Sequence, residues 1–472
     1  MASDTAAATT TAPPAAPSNA RWYVLGVLLV IYISNFADRQ ILTAAAVQNG
    51  MKRELLLEDW QLGVLGGIAF GVFYAVMGVP IARLAEKYNR VRLISIAVVA
   101  WSVATALCGA AQNFVQLFLA RFGVGVGEAG SGPASNSLIA DYFPPERRAT
   151  AISIFSLGVP IGALLGAIGG AWVATTWGWR EAFFVVGLPG IALAVLAWMT
   201  IKEPIRGALD GRAGESADVP SLMEVVRRLA ANRTLVHLGI GTAVATFVNY
   251  GVSNFAQALL YRGYGLTEFH AALAYGIIGC LAAVVGIVSG GWLTDRYGKK
   301  DERWRVWIPG IGLALAGPMY ALGFSQNTIL GLSILVIPPI VLQFLYTGPT
   351  FAILHNMVAP RMRATAVAVV NLIINLIGMG LGPTVVGGLS SLFGRMLYRG
   401  PGEFATTCPA GLPPEGASAA LQAACTAGSF EGLRWSFIVV SMLFVWAAVH
   451  FFLASRHLRD DLPKVPRPAD QL

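Results

Sequence analysis

Charge is what this sequence has least of. Asp, Glu, Lys and Arg make up 12% of its 472 residues, against about 25% in soluble proteins. So few charges could not cover the surface of a soluble protein this long, and disordered, coiled-coil and collagen-like chains are excluded by the same composition. Histidine is scarce, with five in all. His237, His355 and His457 fall near the ends of apolar runs and none has metal-ligand spacing, so no metal or other cofactor is expected. No Ser–His–Asp arrangement is present, and no enzyme is expected. Gly123-Val-Gly125-Val-Gly127 lies inside an apolar run, with no strand before it and no P-loop Lys-Ser/Thr after it, so nucleotide binding is not expected either.

Apolar sequence is plentiful. Hydrophobic residues are 56% of the chain, with 53 Gly and 25 Pro, and mean hydropathy is +0.63. Runs long enough to cross about 30 Å of hydrocarbon lie at 22–46, 61–82, 93–111, 114–139, 149–174, 181–201, 235–260, 269–293, 306–324, 328–354, 364–392 and 434–455, here spans 1 to 12. The expected fold is an all-α membrane protein of twelve helices. Twelve crossings put both termini on one side. Loops and tails on that side hold 24 Lys and Arg, whereas those on the other hold 7. By the positive-inside rule the termini are expected to be cytoplasmic. The net charge of +8 is then topogenic, and no nucleic-acid partner is expected. Residues 1–20, rich in Ala, Thr and Pro, lack the basic n-region and apolar h-region of a cleaved signal.

The chain repeats itself. Pro145-Glu-Arg-Arg-Ala-Thr-Ala151 returns as Pro360-Arg-Met-Arg-Ala-Thr-Ala366, and Arg83-Leu-Ala-Glu-Lys-Tyr-Asn-Arg90 parallels Trp292-Leu-Thr-Asp-Arg-Tyr-Gly-Lys299. Each pair sits at the same place in its half. The expected domains are a disordered tail (1–21), a six-helix bundle (22–201), a linker (202–233), a second six-helix bundle (234–455) and a tail (456–472). Parallel halves of this kind form a carrier with its site between them.

Gly291-Trp-Leu-Thr-Asp295-Arg296-Tyr-Gly298-Lys299-Lys300 resembles the signature loop of the major facilitator superfamily. The first-half copy is degraded, with Ala82, Glu86 and Asn89 at the Gly, Asp and second Gly positions. A carboxylate at a helix end and basic residues beyond it suit a gate, so Glu86, Arg90, Asp295, Arg296 and Lys299 are candidate cytoplasmic gate residues. Asn35-Phe-Ala-Asp38-Arg39 in span 1 and Arg121-Phe-Gly-Val-Gly125-Val-Gly127-Glu128 in span 4 resemble the Spinster family of lipid transporters. That resemblance implies a proton-coupled carrier of sphingolipid- or lysophospholipid-like amphiphiles, working by rocker-switch alternation; the compact, Ala-rich chain and short loops suggest a bacterial-type inner membrane, and a monomer is expected. Carriers of small organic anions or sugar acids, and multidrug efflux, are the alternatives.

Four charges lie inside spans: Asp38, Arg39, Arg121 and Glu128. Each costs at least about 2.5–3.5 kcal/mol at mid-bilayer, so each is expected to face protein or a wet cavity. Arg121 and Glu128, seven apart, share a helix face. Asp38 and Glu128 are the candidate proton carriers. Arg39 and Arg121 are their candidate counter-charges or substrate anchors. Phe70, Tyr74, Asn249, Tyr250, Asn254, Tyr275, Tyr346, Asn371 and Asn375 are candidate cavity-lining residues, with Tyr250–Asn254–Gln257 and Asn371–Asn375 at the i, i+3 or i+4 spacing of one helix face. Small residues four apart in span 5, from Gly158 to Gly170, suggest a tightly packed, kinked, moving helix. Cys108 and Cys280 read as small core residues. Cys408 and Cys425 flank a polar loop expected outside, where a disulfide can form.

Overall fold

A backbone in lipid must satisfy its own hydrogen bonds, and here the apolar runs do so as helices. The structure, a computed structural model, describes residues 18–206, 221–358 and 362–461. The expected terminal tails lie mostly outside these residues, as does the middle of the linker. Among the described residues eleven helices are long and apolar enough to cross a membrane. The remaining run, span 4, is two shorter helices, Phe114–Glu128 and Ser131–Tyr142.

Span 10 breaks in the same way, into Ile329–Gln343 and Thr347–Met357. The second pieces begin Ser131-Gly-Pro and Thr347-Gly-Pro. Proline is tolerated in a first helical turn because that N–H has no intrahelical partner, so each helix can restart there. The break leaves Glu128 at the end of one piece and Gln343 at the end of the other. Their separation of 215 matches that of the Pro145 and Pro360 repeats. The halves share a scaffold, and only the first keeps a charge at its break.

Several boundaries differ from the sequence reading. Span 1 is a helix over Ser18–Ile41, after which the chain turns into a second helix, Ala45–Leu55. The last crossing continues past 455 as Leu443–Asp461. The linker holds an amphipathic helix, Leu222–Ala231, whose Ser221 hydroxyl caps it by accepting from the Glu224 N–H. Its buried Val225 and Leu229 pack with Leu354, Val358 and Met362.

Glycines set the closest helix approaches. A β-carbon on Gly162 or Gly166 would lie 2.4 Å from the Ile33 carbonyl oxygen or 2.3 Å from that of Ala37. The small-residue row of span 5 is therefore a seat for span 1 within the first lobe, while Leu164 and Ile168 of the same helix face Gly276 of span 8. In the second lobe Gly286 and Gly290 of span 8 meet the carbonyls of Val341 and Leu345 in span 10 just as closely.

Candidate functional site

Spans 1 and 4 bring the four intramembrane charges into one cluster. Arg39 Nε donates to Glu128 Oε2 at 2.6 Å. Arg121 Nη1 stands 3.9 Å from Asp38 Oδ1. Both pairs therefore cross between the two helices. Thr105 of span 3 donates its hydroxyl to Asp38 Oδ2, a contact the sequence reading did not include. Asp38, Arg121 and Glu128 are 1–2% exposed, whereas the Arg39 side chain keeps 12%. Arg39 is thus the member that reaches open space.

Its guanidinium lies over the rings of Phe36 (4.7 Å), Phe70 (5.3 Å) and Tyr74 (4.4 Å). Arg121 approaches the Phe70 ring as well, at 5.0 Å. Phe70 and Tyr74 are stacked, so one aromatic pair from span 2 braces the charges from below. Such contacts hold a guanidinium flat without neutralising it. Arg121 Nε and Nη1 and Asp38 Oδ1 have no hydrogen-bond partner among the described residues. The network is under-satisfied.

The candidate lining residues separate into groups. Tyr250, Tyr275, Asn249, Asn371 and Asn375 are half-buried. Tyr346 is 9% exposed, with its hydroxyl 3.1 Å from that of Thr246 and its ring against Phe451. It is second-lobe core rather than open wall. Asn254 is also a correction. It is 4% exposed, and its carbonyl accepts from Gln48 of the first lobe at 2.8 Å. Helical spacing put it on the right face of span 7 but could not give its height.

Asn254 belongs to a seal between the lobes on the face away from the termini. Asp59, the first residue of the span 2 helix, sits at its centre. Arg262 from the end of span 7 donates to both its oxygens, at 2.7 and 2.8 Å. Lys52 Nζ adds a bond at 2.7 Å and the Ser390 hydroxyl another at 2.7 Å. The carboxylate lies at a helix N-terminus and the guanidinium near a helix C-terminus, so both macrodipoles favour the pair. Lys52 is 1% exposed. Burial and the neighbouring Arg262 push its ammonium down to about 8. Around this core, Asn49 donates to Glu268 at 2.6 Å and Arg395 to Glu58 at 2.7 Å.

Below the ion cluster the seal is glycine against backbone. A β-carbon on Gly63 would stand 2.3 Å from the Pro383 carbonyl, on Gly67 2.5 Å from that of Gly380, and on Gly71 2.8 Å from the Gly380 nitrogen. Both helices carry a widened π turn here, at Ile68–Val72 and Asn375–Leu381. Cys408 and Cys425 are bonded, with Cα atoms 5.6 Å apart. They staple a short cap over the same region, where Gly411 approaches Lys52.

On the termini face Arg90 is fully buried and binds Asp141 at 2.5 Å and Glu203 at 2.7 Å, so it braces the first lobe internally. Asp295, Arg296 and Lys299 are exposed, and Arg296 lies over Trp292. The Glu86 side chain lies outside the described residues.

Two six-helix lobes closed against each other on one face, with a buried titratable cluster in one lobe, define a secondary transporter. The Major Facilitator Superfamily pattern matches residues 28–383. A bacterial homologue of the human lysosomal transporter Spinster, solved in an inward-facing and occupied conformation, is 34% identical with a TM-score of 0.84, over 96% of this chain and 100% of that one. An MFS-type efflux pump of Mycolicibacterium smegmatis is 29% identical over 78% of this chain and 84% of its own. The sphingosine-1-phosphate transporter SPNS2 of Danio rerio is 26% identical over 77% and 75%. The chain belongs to the major facilitator superfamily and, within it, to the Spinster family of transporters. It is a multi-pass membrane carrier of a small molecule and not an enzyme.

Proposed function

We propose that the chain is a proton-coupled carrier of amphiphilic lipids, sphingolipid- or lysophospholipid-like, that alternates access by rocking its lobes in a cell inner membrane. The reading is carried by one observation: Arg39, the accessible member of the cluster, is held by Glu128 at 2.6 Å in an aromatic setting. While Glu128 is ionised it occupies the guanidinium. A proton on Glu128 ends that pairing and frees Arg39 for a phosphate or carboxylate head group, which it can bind bidentately. Proton and anionic head group then assist each other, and by linkage the effect is reciprocal. Asp38, with Arg121 and Thr105, is the second proton site. The lipid substrate is supported by the SPNS2 relative, which is named as a sphingosine-1-phosphate transporter. Cytoplasmic termini are supported by the Lys and Arg bias of the loops and by the disulfide on the opposite face.

The test is binding and flux of a lysophospholipid in proteoliposomes across a pH series. Affinity is expected to rise as pH falls. Glu128→Gln is expected to bind tightly at every pH and to lose proton-driven flux, and Asp38→Asn to lose that flux. Wild-type affinity independent of pH, with flux undiminished in both variants, overturns the reading. The efflux-pump relative favours a second reading, multidrug efflux. Competition by hydrophobic cations rather than by anionic amphiphiles would select it.

A further inference from the structure

Away from the space between the lobes, the second lobe carries a groove of about 460 Å³ bounded by spans 7, 11 and 12 and the linker helix. That size falls in the range of about 300–1,000 Å³ typical of small-molecule sites. Much of its wall is side chain directed at lipid: Ile240, Ile373, Ile377 and Trp446 are 36–53% exposed. Gly239 helps to form it, since a β-carbon there would meet nothing within 4 Å.

The two longest walls share a gradient. Along span 7 the groove stripe runs Arg233, His237, Ile240, Val244, Phe247, at the i, i+4, i+7 spacing of one helix face. Along the last helix it runs His457, His450, Trp446, Leu443. Both stripes are basic or imidazole at the termini end and apolar below. The imidazoles meet: His237 and His450 place Nδ1 atoms 3.0 Å apart, and the His457 ring stacks on that of His237 at 6.4 Å. Trp446 touches His450, at 5.9 Å between ring centres, and so joins the polar end to the groove. Three of the chain's five histidines thus gather at the termini end of these helices. One Nδ1–H···Nδ1 bond uses one proton and leaves an outward Nε2–H donor on the accepting ring. Arg233, four residues before His237, and Arg456, next to His457, are both exposed at this end, where Asp461 is engaged by the Thr234 N–H and hydroxyl.

We propose that this groove is a binding site for an anionic, phosphate-bearing bilayer lipid, separate from the transport site. One acyl chain lies along Ile240, Phe247 and Ile377, and the phosphate is held by the His237–His450–His457 cluster with Arg233 and Arg456. Charge complementarity argues for this occupant, because Arg233 and Arg456 add cationic charge that a net-negative head group complements, whereas a zwitterionic lipid brings its own cation next to its phosphate.

The experiment uses the purified full-length chain and native mass spectrometry with three probes: dioleoylphosphatidylglycerol, dioleoylphosphatidylcholine and glycerol 3-phosphate. The expected result is retention of phosphatidylglycerol over phosphatidylcholine by about fivefold for each basic group engaged, with no binding of glycerol 3-phosphate. His237→Gln with His450→Gln is expected to abolish the preference, and Gly239→Phe, which fills open space, to reduce retention of both lipids. An unshifted melting temperature confirms folding, and Ile240→Trp serves as the groove variant if Gly239→Phe melts early. Equal retention of the two lipids by wild type, an unchanged preference in the histidine variant, or tight binding of glycerol 3-phosphate alone overturns the proposal.

Discussion

Asp59 accepts four hydrogen bonds from three side chains, and two of those three belong to the opposite lobe. Removing one partner from a buried ion network costs about 3–5 kcal/mol, because the charges left behind remain buried without compensation. Asp59→Asn keeps the shape and removes the charge. It is expected to shift the lobes toward the arrangement open on the far face by about a hundredfold or more, as read by spin-label distances across that face. Unchanged distances would show the cluster to be incidental. Lys52 adds a pH dependence of known sign. In the sealed state its ammonium titrates near 8 instead of its ordinary 10.5, so the sealed state binds the proton less tightly than a state in which Lys52 is exposed. Raising the pH from about 8 toward 10.5 therefore favours sealing. The same spin-label distances should shorten over that window in wild type and stay constant in Lys52→Met.

At the scale of elements, the seal depends on spans 2 and 11 touching backbone to backbone. Gly67 stands where a methyl would lie 2.5 Å from both the Gly380 carbonyl and the Thr384 hydroxyl. Gly63→Ala, whose added methyl would lie 2.3 Å from the Pro383 carbonyl and has its nearest contacts all on the opposite lobe, is expected to cost the sealed state about 1–3 kcal/mol, as overpacking does elsewhere. Cysteine labelling on the far face should rise several-fold while the melting temperature of each lobe's core holds. Labelling as slow as in wild type would mean that the helices part more easily than the contact implies. Much of this architecture was legible in the sequence. Spans 1 and 4 announced themselves because a charge in hydrocarbon needs a reason, and the repeats at Pro145 and Pro360 marked the halves. The seal was not legible. Lys52, Asp59 and Arg262 lie at the ends of apolar runs, where charge is ordinary, and only contact between lobes buries them. The four-residue spacing of Gly63, Gly67 and Gly71 was visible, but their partner on span 11 was not. The more conspicuous row in span 5 serves packing within one lobe.

For the whole molecule, the two halves share a broken helix but not its charge. Glu128 has Arg39 beside it, whereas its counterpart Gln343, 7% exposed, has no buried arginine near it among the described residues. The buried charge at the breaks is thereby confined to one lobe. Gln343→Glu would install a buried carboxylate without a counter-ion, costing about 2.5–3.5 kcal/mol when ionised. Burial raises the affinity of such a group for its proton, so stability is expected to be near wild type at low pH and to fall as pH rises. Thermal melting at pH 5 and pH 8 measures this, and equal melting at both would show that the second lobe can solvate a charge at its break.

The far-face closure also bears on energetics. It is fastened largely by polar contacts that water could replace almost as well once the lobes part, and by glycine surfaces too small to bury much oil. Such a door is strong in direction and weak in depth, with open and shut lying near balance. A carrier needs that poise, since the binding energy of one cargo molecule must then suffice to tip it either way.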